Sequence, residues 1–224
     1  IMEIEGIDFL NAVKHLARQY SIELQIDEIQ GQSKNIITQL FDLHETTSKI
    51  FLDNLSTEEG GEVLAHLESR GLSKDTIKKF KLGYSLKQKD ALLSTFRKDG
   101  VKGDVMKQSG LFIDTKEGYI DRFNGRIMFS IPNSSGKIAA FAGRVFKSDK
   151  QAKYVNSPET PIYNKSKILY GLHATKQVIR ESKSIIVVEG YLDFLQLYQS
   201  GIHNCVAVSG TAFTDQHAFQ IKRF

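Results

Sequence analysis

Ile185-Ile186-Val187-Val188 is an unbroken run of β-branched residues that ends in Glu189-Gly190 and passes into Tyr191-Leu192-Asp193. No polar residue alternates within it, so it predicts a strand buried on both faces, as in parallel sheets. Gly190 permits a sharp turn, and Tyr191 to Ser200 predicts a helix. Glu189 then stands at the carboxyl end of a parallel strand, where open α/β sheets place their ligand sites. An acid there is costly without a partner or a task. The residues alone leave two readings: a working carboxylate, or one that caps the next helix or pairs with a lysine. A second strand–helix pair, Cys205 to Val208 then Thr214 to Arg223, follows it.

The segments before this unit read differently. Gly6 to Tyr20 carries a helical stripe at Phe9, Leu10, Val13, Leu16, Ala17 and Tyr20. Gly31-Gln32-Ser33 predicts a linker. Ile36 to Leu55 returns to the helical period. Thr57 is placed to cap a helix that runs to Ser69-Arg70 and stops at Gly71, and Ser73 to cap a short one ending near Phe80. Lys89 to Lys98 and Val101 to Gln108 complete a mostly α first half. After Gly110 the period becomes two. Leu111 to Ile113, Gly118 to Ile120, Arg126 to Ile131 and Lys137 to Phe146 predict a meander of antiparallel strands, with turns at 115–118 and 133–136. Tyr154 to Pro161, with two prolines, predicts an ordered loop, and Leu169 to Glu181 a helix. The fold class is therefore α/β, an α+β lobe with antiparallel strands followed by a partial parallel β/α unit.

No stretch of 18 apolar residues and no signal-like start is present, so neither a membrane partner nor secretion is expected, and a cytoplasmic setting fits. The single Cys205 excludes an internal disulfide and a cysteine-rich zinc site. The chain does not open on Met and stops within a predicted helix, so it is expected to be part of a longer one. The formal charge of +4 is unevenly spread: Arg122 to Lys183 holds 12 Lys/Arg against 3 Asp/Glu, and all three prolines. Such a region suits nucleic acid or nucleotide phosphates; a solvated lysine face is the alternative.

Three groups carry candidate chemistry. Glu189 and Asp193, four residues apart at a strand end and a first helical turn, suit a divalent ion with oxygen ligands. Arg122, Arg126 and Arg144 fall on neighbouring predicted strands, and 122 and 126 share a face if one strand spans both. Lys153, Lys165 and Lys167 flank or enter the proline loop, with Tyr154 and Asn156 among them. There Lys meets phosphate, Tyr stacks on a base and Asn bonds a base edge or ribose hydroxyl. Acids with a metal beside a basic face are what phosphoryl transfer needs. Each group also has a plainer reading, as helix cap, solvated strand arginines or surface lysines.

Across nearly its whole length the chain resembles bacterial DNA primases of the DnaG type. The resemblance rests on Ser69-Arg70-Gly71-Leu72-Ser73, Asp121-Arg122-Phe123-Asn124-Gly125-Arg126-Ile127-Met128-Phe129, Ala142-Gly143-Arg144-Val145, Lys153-Tyr154-Val155-Asn156-Ser157-Pro158-Glu159-Thr160-Pro161, Leu169-Tyr170-Gly171, Val188-Glu189-Gly190-Tyr191-Leu192-Asp193 and Ser209-Gly210-Thr211-Ala212. It implies a tail over 1–30 following an absent zinc-binding module, a catalytic-core N-lobe over 31–181 and a partial Toprim domain over 182–224. It implies that Glu189 and Asp193 are catalytic, with Glu189 a ligand of Mg²⁺ or Mn²⁺ or a general base. Arg70, Lys153, Tyr154, Asn156 and Lys165 would contact the nucleotide, and Arg122, Arg126, Arg144 and Lys167 the DNA. The implied activity is synthesis of a short RNA primer from NTPs on single-stranded template DNA. The implied further components are Zn²⁺ in the missing module and a replicative helicase bound through a missing C-terminal domain.

The chain also departs from the family. The later Toprim acids lie beyond its end, so Glu189 and Asp193 alone are not expected to hold two metals, and a strand near Val206 is expected to lie exposed without its neighbours. Asn124 stands where a basic residue is frequent, and Ser130 where proline is usual. Two other readings stand beside this one: a module that binds NTPs or single-stranded DNA without catalysis, and a different Toprim enzyme such as a topoisomerase or nuclease. The Lys153–Pro161 loop argues against the second of these. The 224 residues alone are expected to make no primer.

Overall fold

The structure is a computed structural model describing residue 20 and residues 28–147, 152–208 and 212–223, with side chains from residue 35 onward in the first helix. The helix predicted over Gly6 to Tyr20, Tyr20 apart, and the Ser209-Gly210-Thr211 part of the last motif lie outside the described residues. Residues 1–36 and 37–224 form two compact units. In the first, the beginning of helix α1 (Glu28–Asp53) is described. Gly31-Gln32-Ser33 lies inside that helix, not in a linker. One glycine costs a helix only about 1 kcal/mol relative to alanine, and Glu28, Gln30, Gln32 and Lys34 around it are good helix formers.

Within 37–224, α1 buries Leu40, Leu43 and Phe51 at helical spacing. A 3₁₀ turn (Asn54–Ser56) leads to α2 (Glu58–Ser69), whose start is fixed by the Thr57 hydroxyl accepting the Gly60 N–H at 3.1 Å. Ser73 does the same for the Thr76 N–H at the start of α3 (Lys74–Lys79), at 3.2 Å. Both caps agree with the sequence reading. Strand β1 (Leu82–Ser85) then appears inside the half read as helical. Four residues including a glycine give no period of their own; burial of all four is what makes the strand. Helices α4 (Ala91–Lys98) and α5 (Gly103–Gln108) follow.

The predicted meander resolves into two separate sheets. Strands β2 (Phe112–Thr115) and β3 (Gly118–Asp121) form an isolated antiparallel hairpin. Strands β4 (Arg126–Pro132) and β5 (Ile138–Val145) pair at the centre of a four-stranded antiparallel sheet of order β1-β4-β5-β6. The end of β3 is claimed elsewhere: the Asp121 carboxylate accepts the N–H groups of Leu92 and Leu93, at 2.8 and 3.0 Å, at the start of α4. The chain turns away through 122–125 before β4 begins. The fourth strand, β6 (Tyr154–Asn156), lies where an irregular loop was expected and pairs Tyr154 with Arg144 and Asn156 with Ala142. The prolines at 158 and 161 fall after it and leave its ladder intact.

The sheet is covered on both faces. Adjacent residues of a strand point to opposite sides. The Phe129 ring stacks on Tyr191 at 5.0 Å, while the Ser130 hydroxyl lies 2.8 Å from that of Ser48 in α1 and donates to the Lys81 carbonyl at 2.9 Å. Phe141 meets Phe51 and His44 of α1 at 5.4 and 5.3 Å. Helix α1 therefore packs on one face and the Tyr191 segment on the other.

Helix α6 (Leu172–Ser182) begins three residues later than predicted, behind Gly171 at φ +86°. Strands β7 (Ile186–Val188) and β8 (Cys205–Ala207) are parallel, joined through α7 (Tyr191–Gln199), and α8 (Asp215–Ile221) follows. Here two expectations are reversed. Ile186 and Val187 are 41% and 39% exposed, so β7 is not buried on both faces, whereas Cys205, Val206 and Ala207 are fully buried. The reason is in the pairing. β8 has β7 on one side and the backbone of Tyr170 on the other, with Tyr170 and Ala207 exchanging N–H···O bonds of 2.9 and 3.0 Å. Among the described residues β7 has a neighbour on one side only. Tyr170, Tyr191, Phe194 and Leu195 join Leu82, Phe129 and Ala142 in one hydrophobic core, so residues on both sides of position 181 share it.

Candidate functional site

Turn, strand and helix end meet around Tyr191. Glu189 and Gly190 form the bend between β7 and α7, and Glu189 is exposed. Asp193, also exposed, is the third residue of α7. Its carboxylate folds back over the turn: a Cβ on Gly190 would stand 2.7 Å from Asp193 Oδ2. An acid in a first helical turn is favourable in its own right, so position 193 serves the helix whatever else it does. Tyr191, 3% exposed, reaches the other way. Its hydroxyl donates to Asn156 Oδ1 at 3.3 Å, and its ring lies 6.2 Å from that of Tyr154. The acid-bearing turn is thus tied to β6.

Cations gather at the same place. The Arg144 guanidinium lies 5.9 Å from the Tyr154 ring centroid, the two residues being ladder partners in β5 and β6. Burial pushes the Tyr154 phenol above its ordinary pKa; the Arg144 charge and hydrogen bond oppose this, Asp193 adds to it and Arg70 opposes it. His66 is lowered by burial and then by Arg144, Arg70 and Lys147. Arg70, Arg144 and Asp193 therefore all act on Tyr154. Lys153 is exposed just before the same strand, and Asn156 is half-buried at its end.

The other predicted residues make contacts of their own. Arg122 and Arg126 are not on one strand: the first sits in the turn after β3 and the second begins β4. The shared strand face inferred for them does not exist. The Arg122 guanidinium donates to the Gly110 and Phe112 carbonyls at 2.8 and 3.2 Å. Arg126, 5% exposed, donates to those of Gly143 and Ala152 at 3.3 and 2.9 Å. Burial lowers the pKa of both. Lys165 and Lys167 lie in the loop before α6. Lys165 donates its backbone N–H to Glu159 at 2.9 Å, and its carbonyl lies 3.4 Å from the His217 ring nitrogen of α8. Lys167 is exposed.

Two residues escaped the sequence reading. Gln196 and Gln199 of α7 bond the backbone of the Arg70–Ser73 turn. Their one sequence signal is spacing, three and six residues beyond Asp193 on one helical face. Among the described residues no group of three or more His, Cys, Asp or Glu side chains gathers that could hold a metal ion, and no helix is long and apolar enough to cross a membrane.

Residues 50–176 match the family "DNA primase catalytic core, N-terminal domain", and 183–224 match "Toprim domain". A DNA primase of Listeria monocytogenes is 33% identical over 232 residues, covering 100% of this chain and 37% of that protein. One from Halalkalibacterium halodurans is 36% identical over 225 residues, covering 99% and 37%. The chain thus spans little more than a third of the length of these relatives. Among solved structures, the RNA polymerase domain of Mycobacterium tuberculosis primase DnaG aligns with a TM-score of 0.79 at 29% identity, over 83% of this chain and 61% of that one. A DnaG primase catalytic domain bound to ssDNA aligns at 0.77 and 33%, over 85% and 59%. The zinc-binding and RNA polymerase domains of Aquifex aeolicus primase align at 0.77 and 28%, over 100% and 54%.

Proposed function

The chain belongs to the DnaG-type family of bacterial DNA primases, and from that premise we propose that it forms the nucleotide- and template-binding part of a primer-synthesising core. The observation that carries this reading is the Tyr191 link. One buried side chain ties the turn holding Glu189 and Asp193 to the strand holding Tyr154 and Asn156. It sets carboxylates beside a cationic and aromatic surface, the combination that nucleotidyl transfer uses.

In the proposed reaction a primer ribose 3′-hydroxyl attacks the α-phosphorus of an incoming NTP. A P–O bond forms, the bond to pyrophosphate breaks, and the hydroxyl proton passes to a carboxylate or to water. Arg70 and Arg144 offset charge on the triphosphate, with Lys153 and Lys165 at its approaches. Tyr154 offers a face for the base, and Asn156 a hydrogen-bonding edge. Glu189, with Asp193, would hold Mg²⁺ or Mn²⁺. Two exposed carboxylates fit such an ion, since Mg²⁺ is commonly held by one or two carboxylates together with substrate phosphates. When bound, the ion supplies positive charge at the reacting phosphate. Arg144 and Lys167 face template DNA, while Arg122 and Arg126 brace the strands behind that face. For a whole protein of this family the reading also takes in Zn²⁺, a replicative helicase, an RNA primer as product and a cytoplasmic setting.

A second reading applies to the 224 residues alone. Two acids, with no third gathered among the described residues, favour binding of NTPs or single-stranded DNA without incorporation. Labelled NTP incorporation on a single-stranded template with Mg²⁺ or Mn²⁺ separates the two. This chain is expected to bind and not incorporate. A version carrying the remainder of the Toprim domain is expected to incorporate, and Glu189→Gln to abolish it. Incorporation that survives Glu189→Gln refutes the role given to Glu189; incorporation by neither version, with binding intact, leaves only the binding module.

A further inference from the structure

The longest-range polar contacts at the site involve neither a predicted nucleotide residue's side chain nor an acid. Gln196 Nε2 donates to the Arg70 carbonyl at 2.6 Å. Gln199 Nε2 donates to the Gly71 carbonyl at 2.7 Å, and Gln199 Oε1 accepts the Ser73 N–H at 2.7 Å. Gln199 pairs with two backbone groups of one turn through both ends of its amide. The turn so gripped is narrowly defined. Arg70 ends α2, Gly71 adopts φ +84° and Ser73 caps α3. The glutamines follow Asp193 by three and six residues, so all three project along one side of α7.

From this geometry we infer that Gln196 and Gln199 are positioning residues that hold the Arg70 turn in register with the Glu189–Asp193 turn. The inference rests on the nucleotide reading above. Backbone, not side chain, is what the amides hold at Arg70, which leaves its exposed guanidinium directed by the turn it stands on. Arg70 and Asp193 both act electrostatically on Tyr154, so with the turn held in register a cation and the carboxylates border one span. The chemical class that fits is a triphosphate, whose far phosphates meet Arg70 while its near ones face the acids. A nucleoside without phosphates gains nothing from the register. The positioning is thus selective for the phosphate chain.

The test is a double-mutant cycle on the 224-residue chain, read by NTP affinity and by nucleoside affinity, with urea denaturation in parallel. Arg70→Ala is expected to weaken NTP binding about tenfold, the scale of one charge-assisted hydrogen bond. Gln196→Ala with Gln199→Ala is expected to weaken it by a similar factor and to leave nucleoside binding unchanged. Combining all three is expected to cost little more than either alone, because both changes remove the same placement of Arg70. Gln199→Glu, which keeps the acceptor and loses the donor, is expected to fall between. Full additivity, or equal losses for NTP and nucleoside, would show a merely structural clamp and overturn the inference. If the unmodified chain binds no NTP, the nucleotide reading itself fails. If it binds and Arg70→Ala alone weakens it, only the positioning role fails.

Discussion

Gly171→Ala should cost far more than its single methyl suggests, and the structure supplies its own control. Gly171 and Gly136 share the same φ of +86°. An alanine at either carries the left-handed strain, roughly 1–2 kcal/mol, partly offset by about 0.4–1 kcal/mol from the stiffer unfolded chain. At Gly136 nothing lies within 4 Å of the added Cβ. At Gly171 the Cβ would stand 2.9 Å from Phe194 Cδ2 and closer still to Cε2 and Cζ. Phe194 is fully buried and held edge-on by Phe80 and Tyr170, at 5.2 and 5.1 Å. The ring has no free direction in which to retreat, so a further overpacking cost of about 1–3 kcal/mol applies. Gly136→Ala is therefore expected at about 1 kcal/mol and Gly171→Ala at about 2–4 kcal/mol. Urea denaturation followed by circular dichroism measures both. Phe194→Leu in the Gly171→Ala background should recover part of the difference. Equal losses at the two glycines would refute the claim that α7 packs against the start of α6 through this ring.

Three further outcomes are expected. His44 is fully buried, and burial lowers its pKa from 6.5 to about 4, so below pH 6.5 the unfolded chain takes up a proton that the folded chain refuses. Stability is then complete above pH 6.5 and falls by about 3 kcal/mol as pH drops towards 4. His44→Gln should flatten that acid limb; His173, also lowered to about 4 by burial, would leave a remainder. Arg126→Met should cost about 2–4 kcal/mol in urea denaturation by removing the hydrogen bonds of a buried guanidinium to the Gly143 and Ala152 carbonyls, with little change in single-stranded DNA affinity. Arg144→Ala should weaken that affinity instead, as read by fluorescence anisotropy, and the opposite pattern would return Arg126 to the DNA face. Tyr191→Phe keeps the ring stack on Phe129 and removes one hydrogen bond to Asn156. It should change stability by under about 1 kcal/mol and weaken NTP binding by up to about tenfold, whereas unchanged NTP affinity would detach Tyr191 from the site.

What the sequence revealed followed from local chemistry. Thr57, Ser73 and Gly71 announced helix ends because caps are short-range devices, satisfied within three or four residues. β4 and β5 were legible as apolar runs. β1 and β6 were not, since each owes its strand state to the neighbour it pairs with. Ile185 to Val188 misled for the same reason. A β-branched run reports a preference for sheet, while burial depends on how many strands lie beside it. The arginines show the limit most clearly. Arg122, Arg126 and Arg144 look alike in sequence, yet two spend their donors on backbone carbonyls and one faces Tyr154. Their partners, set by how the strands and turns meet, sort them.

The site itself is built almost wholly from distant pairs. Gln196 and Arg70 are 126 residues apart, Gln199 and Gly71 are 128, and Tyr191 and Asn156 are 35. No window of a periodicity argument spans these distances. Motif spacing singled out the acids and the β6 residues as candidates because few residue types suit such chemistry; it was silent on the glutamines because amides that bond backbone recognise no side chain. Their grip depends on Gly71 keeping φ +84°, with its open Cβ position 3.5 Å from the Gln196 amide. A Cβ at 71 would meet that amide at ordinary contact distance, but any side chain there would strain the turn. The residue that stops the helix therefore also shapes the turn that the glutamines hold, so the helix stop and the placement of Arg70 cannot be altered separately.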